Sequence, residues 1–453
     1  MTISATQAHR ARSTAVVLVA AVTLAGCGTK REGAGQDPDT PVHVRLYGSD
    51  ANMTNSLRNK LDGNPGLLSG MTGTAPLLKL PETFKTRLRS VDASLADFGY
   101  AAEAYDAVMI AGLAAESART VEAPTVAKFI VPATTGGAEC DSAATCLPLA
   151  KSGRDFAYRG VSLSRSGLTD QGEPSSASYG TLHFGRDATI NDNLTEYVGA
   201  GDERSASTAA APPPAANPNS SSNKKRALKV GALMPHTGRL AYRSGPRFAG
   251  AKLAVADLNA AGGVLGEPVE WIDGDDGTDA AVAAATVDRL VGLGVQVIIG
   301  ASSSSVTKAV IPKIAAAGRI LISPSSTSDE LSAVPDGGMF FRTAPPDTLQ
   351  ARALADVIMR DGPKRVVVVA REDAYGMGLQ QNVKADLVAA GMAGDDIALL
   401  SYPASAEDFA GIAAGVREAR PDAVLIVGYE ETATIVRALA ARKVGTESGL
   451  AGY

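Results

Sequence analysis

Cysteine, histidine and aromatic residues are all scarce: three Cys, four His and one Trp in 453 residues, with Phe, Tyr and Trp together at 5%. The histidines that follow the N-terminal segment, His43, His183 and His236, stand far from one another and from any cysteine, so no run has the ligand spacing of a zinc site. Basic clusters are also missing. Lys and Arg are scattered, the formal net charge is -5, and nothing supplies the positive field that a nucleic-acid partner requires. No strand leads into a Gly-x-Gly-x-x-Gly turn, and no Gly-x-Ser-x-Gly elbow occurs, which argues against a dinucleotide enzyme or a hydrolase. No cofactor is implied. What the chain has in quantity is ordinary globular composition, 45% hydrophobic and 20% charged, at a length sufficient for two or three packed domains.

The first 27 residues carry a strong local signal. His9, Arg10 and Arg12 precede an apolar run over 15–25 that is too short to span a bilayer, and Leu24-Ala25-Gly26-Cys27 follows. This pattern is similar to a lipoprotein signal peptide, with Cys27 as the lipidated residue of the mature N-terminus. Residues 28–42, rich in Gly, Asp and Pro, then read as a tether holding the folded part off the outer face of the membrane. With Cys27 set aside, Cys140 and Cys146 remain. An even number outside the reducing cytosol, separated by a short loop, predicts a local disulfide.

From residue 228 short apolar runs alternate with helical patterns. LKVGALMP, EPVEWIDG, VQVIIG and RILIS read as strands, and 247–261, 279–293 and 306–317 as helices. Unbroken Val/Ile runs between helices are strands covered on both faces, so 227–346 is predicted to be a doubly wound parallel α/β lobe. The rhythm restarts over 347–453, with strands RVVVVA, DIALLS and DAVLIVG and helices at 348–360, 378–390, 406–419 and 431–442. It then stops short of a further expected strand. Residues 42–47 read as a strand, 100–118 as a helix followed by irregular, hairpin-like sequence, and 202–226, rich in Pro, Ala, Ser and Asn, as a linker able to span on the order of 25 to 30 Å.

Residues 228–450 resemble the N-terminal two-thirds of the leucine/isoleucine/valine family of type I periplasmic binding proteins. The matching runs include Pro235-His236-Thr237-Gly238, Ala256-Asp257-Leu258-Asn259, Gly300 with Ser302 to Ser305, Ser323-Pro324-Ser325-Ser326-Thr327, Asp373-Ala374-Tyr375-Gly376 and Gly428-Tyr429-Glu430-Glu431. Residues 43–201 are similar to the family's C-terminal third, through Leu46-Tyr47-Gly48-Ser49-Asp50, Gly73-Thr74-Ala75-Pro76, Ala102-Glu103-Ala104-Tyr105-Asp106-Ala107 and Ser178-Tyr179-Gly180. In the family this third comes last. The resemblance therefore implies two doubly wound lobes joined by a hinge, in circularly permuted order, with fusion of two gene fragments or an annotation error as the alternatives.

It also implies a receptor that closes on an amino acid or similar small polar solute and hands it to ABC permease and ATPase subunits on separate chains, touching the membrane only through its lipid anchor. A sensor that signals to a membrane partner is the rival reading, because fold alone does not separate the two. An amino acid needs an anion hole, a carboxylate and a wall. Ser304 and Ser305, at the start of the helix after VQVIIG, and Ser326 and Thr327, after RILIS, lie where free N–H groups and hydroxyls suit a carboxylate, although helix capping also favours serine. By resemblance Ser304 is the best choice there, Tyr375 packs against the ligand and Glu431 receives its ammonium, with Glu430 as competitor and a helix-dipole role as the plainer explanation. Tyr242 or Arg243 touches the ligand from the first lobe, and an arginine there suits a solute with an additional acidic group. Asp329 replaces a common proline of the family. Asp275 and Asp276, before Gly277, read as a turn rather than a metal pair.

Overall fold

The computed structural model describes residues 40–61, 63–215 and 226–451. The expected signal peptide, Cys27 and most of the tether lie outside the described residues, as do 216–225 of the linker. Among the described residues no helix is long and apolar enough to cross a membrane.

The molecule is an α/β fold built on two sheets. The first has five parallel strands in the order Phe340–Arg342, Ile320–Ser323, Val297–Gly300, Lys229–Leu233, Glu270–Ile272. Its middle strands are fully buried, as their apolar runs require; each Val or Ile so covered contributes roughly 1.5–3 kcal/mol. The chain leaves Lys229–Leu233 for the neighbour on one side, Glu270–Ile272, and then returns to the neighbour on the other, Val297–Gly300. A crevice opens at the carboxyl ends of two strands whose connections part in this way.

The second sheet has seven strands in the order Ile397–Pro403, Val366–Glu372, Ala423–Val427, Arg45–Gly48, Thr72–Pro76, Ser176–His183, Glu196–Gly201. Strand Arg45–Gly48 lies in its interior, with Leu46 opposite Val424 and Gly48 opposite Gly73, and Val42–His43 pairs in parallel with Val444–Gly445. The first five strands are parallel. The sheet then departs from the all-parallel expectation, since Ser176–His183 runs antiparallel to both Thr72–Pro76 and Glu196–Gly201. Residues 184–195 join these last two strands as a local hairpin connection, without the helical crossover that usually links parallel neighbours.

Residues 43–201 serve both layers. After Thr72–Pro76 the chain crosses to the first sheet, where helix Ala101–Ala118 is buried along nearly its whole length. Its alanines let helix Gly245–Ala260 come close. A Cβ on Gly250 would fall 2.0 Å from the Ala101 carbonyl, so the contact requires glycine there. Cys140 and Cys146 are joined in a disulfide with Cα atoms 5.3 Å apart. The chain returns to the second sheet before Ser176, and crosses once more between Arg342 and Asp347.

The segment expected to be a free linker from residue 202 is bound over its first part. Ser207 N donates to Leu168 O at 2.9 Å and Ala215 N to Ala118 O at 3.1 Å, so residues 202–215 run from the second sheet to the outer side of the first lobe's helices. Ala211 packs against that lobe's core, which gives this Ala/Pro-rich stretch an apolar seat.

Candidate functional site

Residues at the carboxyl ends of both sheets line one small cavity between them. The first lobe brings Ser302, Ser303 and Ser304 after strand Val297–Gly300, Ser325 and Thr327 after Ile320–Ser323, Tyr100, and Leu240, Arg243 and Arg247 from the segment after Lys229–Leu233. The second lobe brings Asp50 and Ala51 after Arg45–Gly48, Tyr375 after Val366–Glu372 and Tyr429 after Ala423–Val427. Apart from Tyr100, which caps helix Ala101–Ala118, the contributors thus sit between the end of a strand and the start of the helix after it, where open α/β sheets hold ligands.

Asp50 is the acid of this cavity, and it is 3% exposed. It accepts from Tyr100 OH at 2.6 Å, Tyr375 OH at 2.7 Å and Gln350 Nε2 at 2.9 Å. Burial pushes the Tyr100, Tyr375 and Tyr429 hydroxyls well above their ordinary range, so they remain protonated donors. The rings of Tyr375 and Tyr429 stack with centroids 5.7 Å apart and form an aromatic wall.

The opposite corner holds donors without acceptors. Arg247 is 2% exposed; its Nη1 reaches Ser325 Oγ at 3.2 Å, while Nε and Nη2 have no hydrogen-bond partner. Burial, reinforced by neighbouring Arg243, lowers its pKa to about 10 and leaves it charged at neutral pH. Ser302 Oγ is likewise buried and unpartnered. Its backbone N–H is committed to Asp276 Oδ2 at 2.8 Å, and burial raises Asp276 to about 6.

Of the residues singled out in the sequence, Ser304, Thr327, Tyr375 and Arg243 line this cavity. Ser304 Oγ also accepts from Ser328 N at 3.1 Å, and Ser303 is the residue that caps the helix, through Val306 N at 3.2 Å. Ser305, Ser326, Tyr242 and Glu431 are not among the lining residues. Ser305 Oγ accepts from Ala374 N at 3.1 Å and the Tyr242 hydroxyl donates to Ala51 O at 2.8 Å, so both tie the lobes together. Ser326 Oγ turns inward to Ala301 O at 3.0 Å and Thr307 Oγ1 at 2.7 Å.

Glu431 is drawn away from the cavity by Arg371. Its Oε1 pairs with the Arg371 guanidinium and accepts from Tyr402 OH at 3.0 Å and Tyr429 N at 3.1 Å. A buried carboxylate is tolerable when paired and hydrogen-bonded in this way. Glu430 meets Lys60 at 2.7 Å. Asp275 accepts from His236 N and Gly277 N, both at 2.8 Å, and from Thr237 Oγ1 at 2.6 Å, which is turn chemistry.

Asp50 and Arg247 were the residues missed. Asp50 stood inside a quoted run of the resemblance, directly after a strand, which is itself the signal of a site residue. Arg247 reads as the polar face of an amphipathic helix, and nothing local marks it as buried.

A family model described as "Periplasmic binding protein" matches residues 227–451. The Leu/Ile/Val-binding protein of Citrobacter freundii is 30% identical over 222 residues, covering 49% of this chain and 60% of its own length. That of Escherichia coli (strain K12) is 29% identical with the same coverage. A branched-chain amino acid transporter substrate binding protein from Streptococcus pneumoniae, solved in complex with isoleucine, overlaps 48% of this chain and 62% of its own at 27% identity and a TM-score of 0.41. The chain thus spans about 60% of the length of the curated relatives it matches. Those relatives are named as binding proteins rather than enzymes, and through residues 227–451 this chain belongs to the periplasmic binding protein family.

Proposed function

We propose that the protein is an extracytoplasmic receptor that captures an amino acid or similar small polar solute between its lobes and delivers it to an ABC importer. The observation that carries this reading is the pairing, in one interlobe cavity, of a buried carboxylate with buried donors that have no acceptor. An unmade hydrogen bond on a buried group costs about 1–3 kcal/mol, more for a charged one, and a bound carboxylate at Arg247 and Ser302 removes that cost. An ammonium group fits Asp50, and Tyr375 with Tyr429 covers the rest of the solute. Ser304, Thr327 and Arg243 complete the contacts. Because the ligand touches both lobes, it favours the closed arrangement over the open one, and the closed form is what an importer recognises. Because relatives are named for leucine, isoleucine and valine, amino acids are the first solutes to try.

Lipid attachment at Cys27 belongs to the same proposal, and so does the exchanged order of the two blocks. In support of that order, Arg45–Gly48 lies beside Ala423–Val427 and residues 43–201 contribute to both layers. Two experiments test the reading. The chain carrying Cys27→Ser is purified, its bound small molecules are identified by mass spectrometry, and free amino acids are screened by thermal shift. Absence of any stabilising amino acid would refute the solute class. For the block order, a protease site placed within 216–225 is cut in the folded protein. The two fragments should stay associated in native buffer and part in denaturant; spontaneous separation on cutting would show that they do not form one fold.

A further inference from the structure

We infer that residues 202–215 form a hinge strap, a fourth tie between the two sheets that limits how far the lobes part on one flank of the hinge. The inference rests on the two-lobe architecture alone and goes beyond the receptor reading. Three segments cross between the sheets, before Ala101, before Ser176 and between Arg342 and Asp347. The strap starts beside the second of these. Strand Glu196–Gly201 pairs with Ser176–His183 in the second sheet, with Gly201 opposite Ser176. Gly201 has φ 89°, and a Cβ there would fall 2.5 Å from the Ser175 carbonyl, so the two crossings run in backbone contact. Asp202 N then donates to Ser175 O at 3.0 Å.

The far end is fixed on the first lobe. Ser207, 6% exposed, donates its N–H to Leu168 O at 2.9 Å, and Leu168 belongs to the first lobe's core. The hairpin that carries Leu168 is held to the first sheet, because Arg342 N donates to Gly172 O at 2.9 Å and the Arg342 guanidinium pairs with Glu173. Beyond Ser207, Ala211 packs on that core, Pro212 to Pro214 line a groove with Phe129, Pro132 and Phe156, and Ala215 N donates to Ala118 O at 3.1 Å. A run of prolines has its φ angles already fixed, so seating it costs little conformational freedom. The slack between the two ends is the 3₁₀ turn Glu203–Ser205, capped by the Asp202 carboxylate. Drawing these three residues from a rise of about 2.0 Å each to about 3.3 Å releases about 4 Å, after which an anchor must break.

The test uses the full chain carrying Cys27→Ser, Asp170→Cys and Val198→Cys, with spin labels on the two new thiols. Both positions are exposed, one on the Leu168 hairpin and the other on strand Glu196–Gly201. Cys140 and Cys146 are held in their disulfide and take no label. A protease site is placed either within 203–206 or within 216–225 and cut in the folded protein. Both cuts break the same covalent connection, but only the first frees the lobes from the strap. Distances read by double electron–electron resonance should extend by more than about 4 Å after the first cut and stay unchanged after the second. In the uncut chain, Ser207→Pro with Ala211→Asp removes the Leu168 bond and unseats Ala211, and it should lengthen the distances as well. Identical distributions after the two cuts would overturn the inference. The readout involves no solute, so that result leaves the receptor reading standing, and a failure to find a bound amino acid leaves the strap standing.

Discussion

Replacing Asp50 by Asn separates the two carboxylates that compete for the ammonium of a bound amino acid. Asp50 faces the cavity, already ordered by Tyr100, Tyr375 and Gln350, so the change keeps shape and removes charge. Truncating one partner of a buried charged pair costs about 3–5 kcal/mol, and at the lower end a loss of affinity of roughly 100-fold follows. Titration calorimetry with the best-binding amino acid and with its deaminated analogue isolates the effect. The loss should appear for the former and be small for the latter. Glu431→Gln is the counterpart. Glu431 is 5% exposed and paired with Arg371, so its substitution should lower the unfolding midpoint while moving affinity less than about threefold. If Glu431→Gln abolished binding and Asp50→Asn did not, the assignment of roles from cavity geometry would be wrong.

Three further outcomes concern stability. Burial raises Glu103 to about 8, with Asp106 one turn away adding repulsion; the folded state then holds this proton more tightly than the unfolded chain, and stability from this group falls as pH rises from about 4.5 to about 8. Glu103→Gln should remove that slope, gaining on the order of 4 kcal/mol at pH 8 and almost nothing at pH 4 in urea melts; parallel slopes for the two proteins would contradict it. The Asp106 carboxylate accepts from Tyr158 OH, Val161 N, Ser162 N and Oγ, and Leu163 N, so Asp106→Ala should cost about 4–6 kcal/mol by stranding buried donors, read as a large drop in melting temperature. Gly250→Ala should cost at least about 1–3 kcal/mol by forcing two helices apart, measured by denaturant midpoint, and a neutral result would mean that the helix pair can slide.

Much of the fold was legible because its strands are apolar runs with one reading. RVVVVA and DAVLIVG became fully buried neighbours, and helix bounds fell within a few residues of expectation, as at Asp347–Arg360 for 348–360. The antiparallel edge was less legible, since Thr72–Pro76 and Glu196–Gly201 carry Thr, Gly and Ala, which do not announce direction. Among the residues that line the cavity, Ser304 and Thr327 were singled out from turns at strand ends, with Ser304 preferred by the family resemblance, and Tyr375 by that resemblance alone. Glu431 also follows a strand end. What directed it elsewhere is Arg371, sixty positions earlier, and a long-range pairing leaves no local mark.

The separation of partners also bears on how the site works. Asp50 receives hydrogen bonds from Tyr100 of the first lobe and from Tyr375 and Gln350 of the second, over 50, 325 and 300 positions of sequence. Ser305 with Ala374, and Tyr242 with Ala51, are further bonds that form only when the lobes meet. Each is worth about 0.5–1.5 kcal/mol net, so their sum is of the same order as the cost of leaving the buried Arg247 and Ser302 donors without acceptors. Under the proposed receptor function, a ligand that supplies the missing acceptor shifts this balance toward closure. On this account selectivity and closure have the same origin: the solute that best satisfies the stranded donors is also the one that most stabilises the closed receptor.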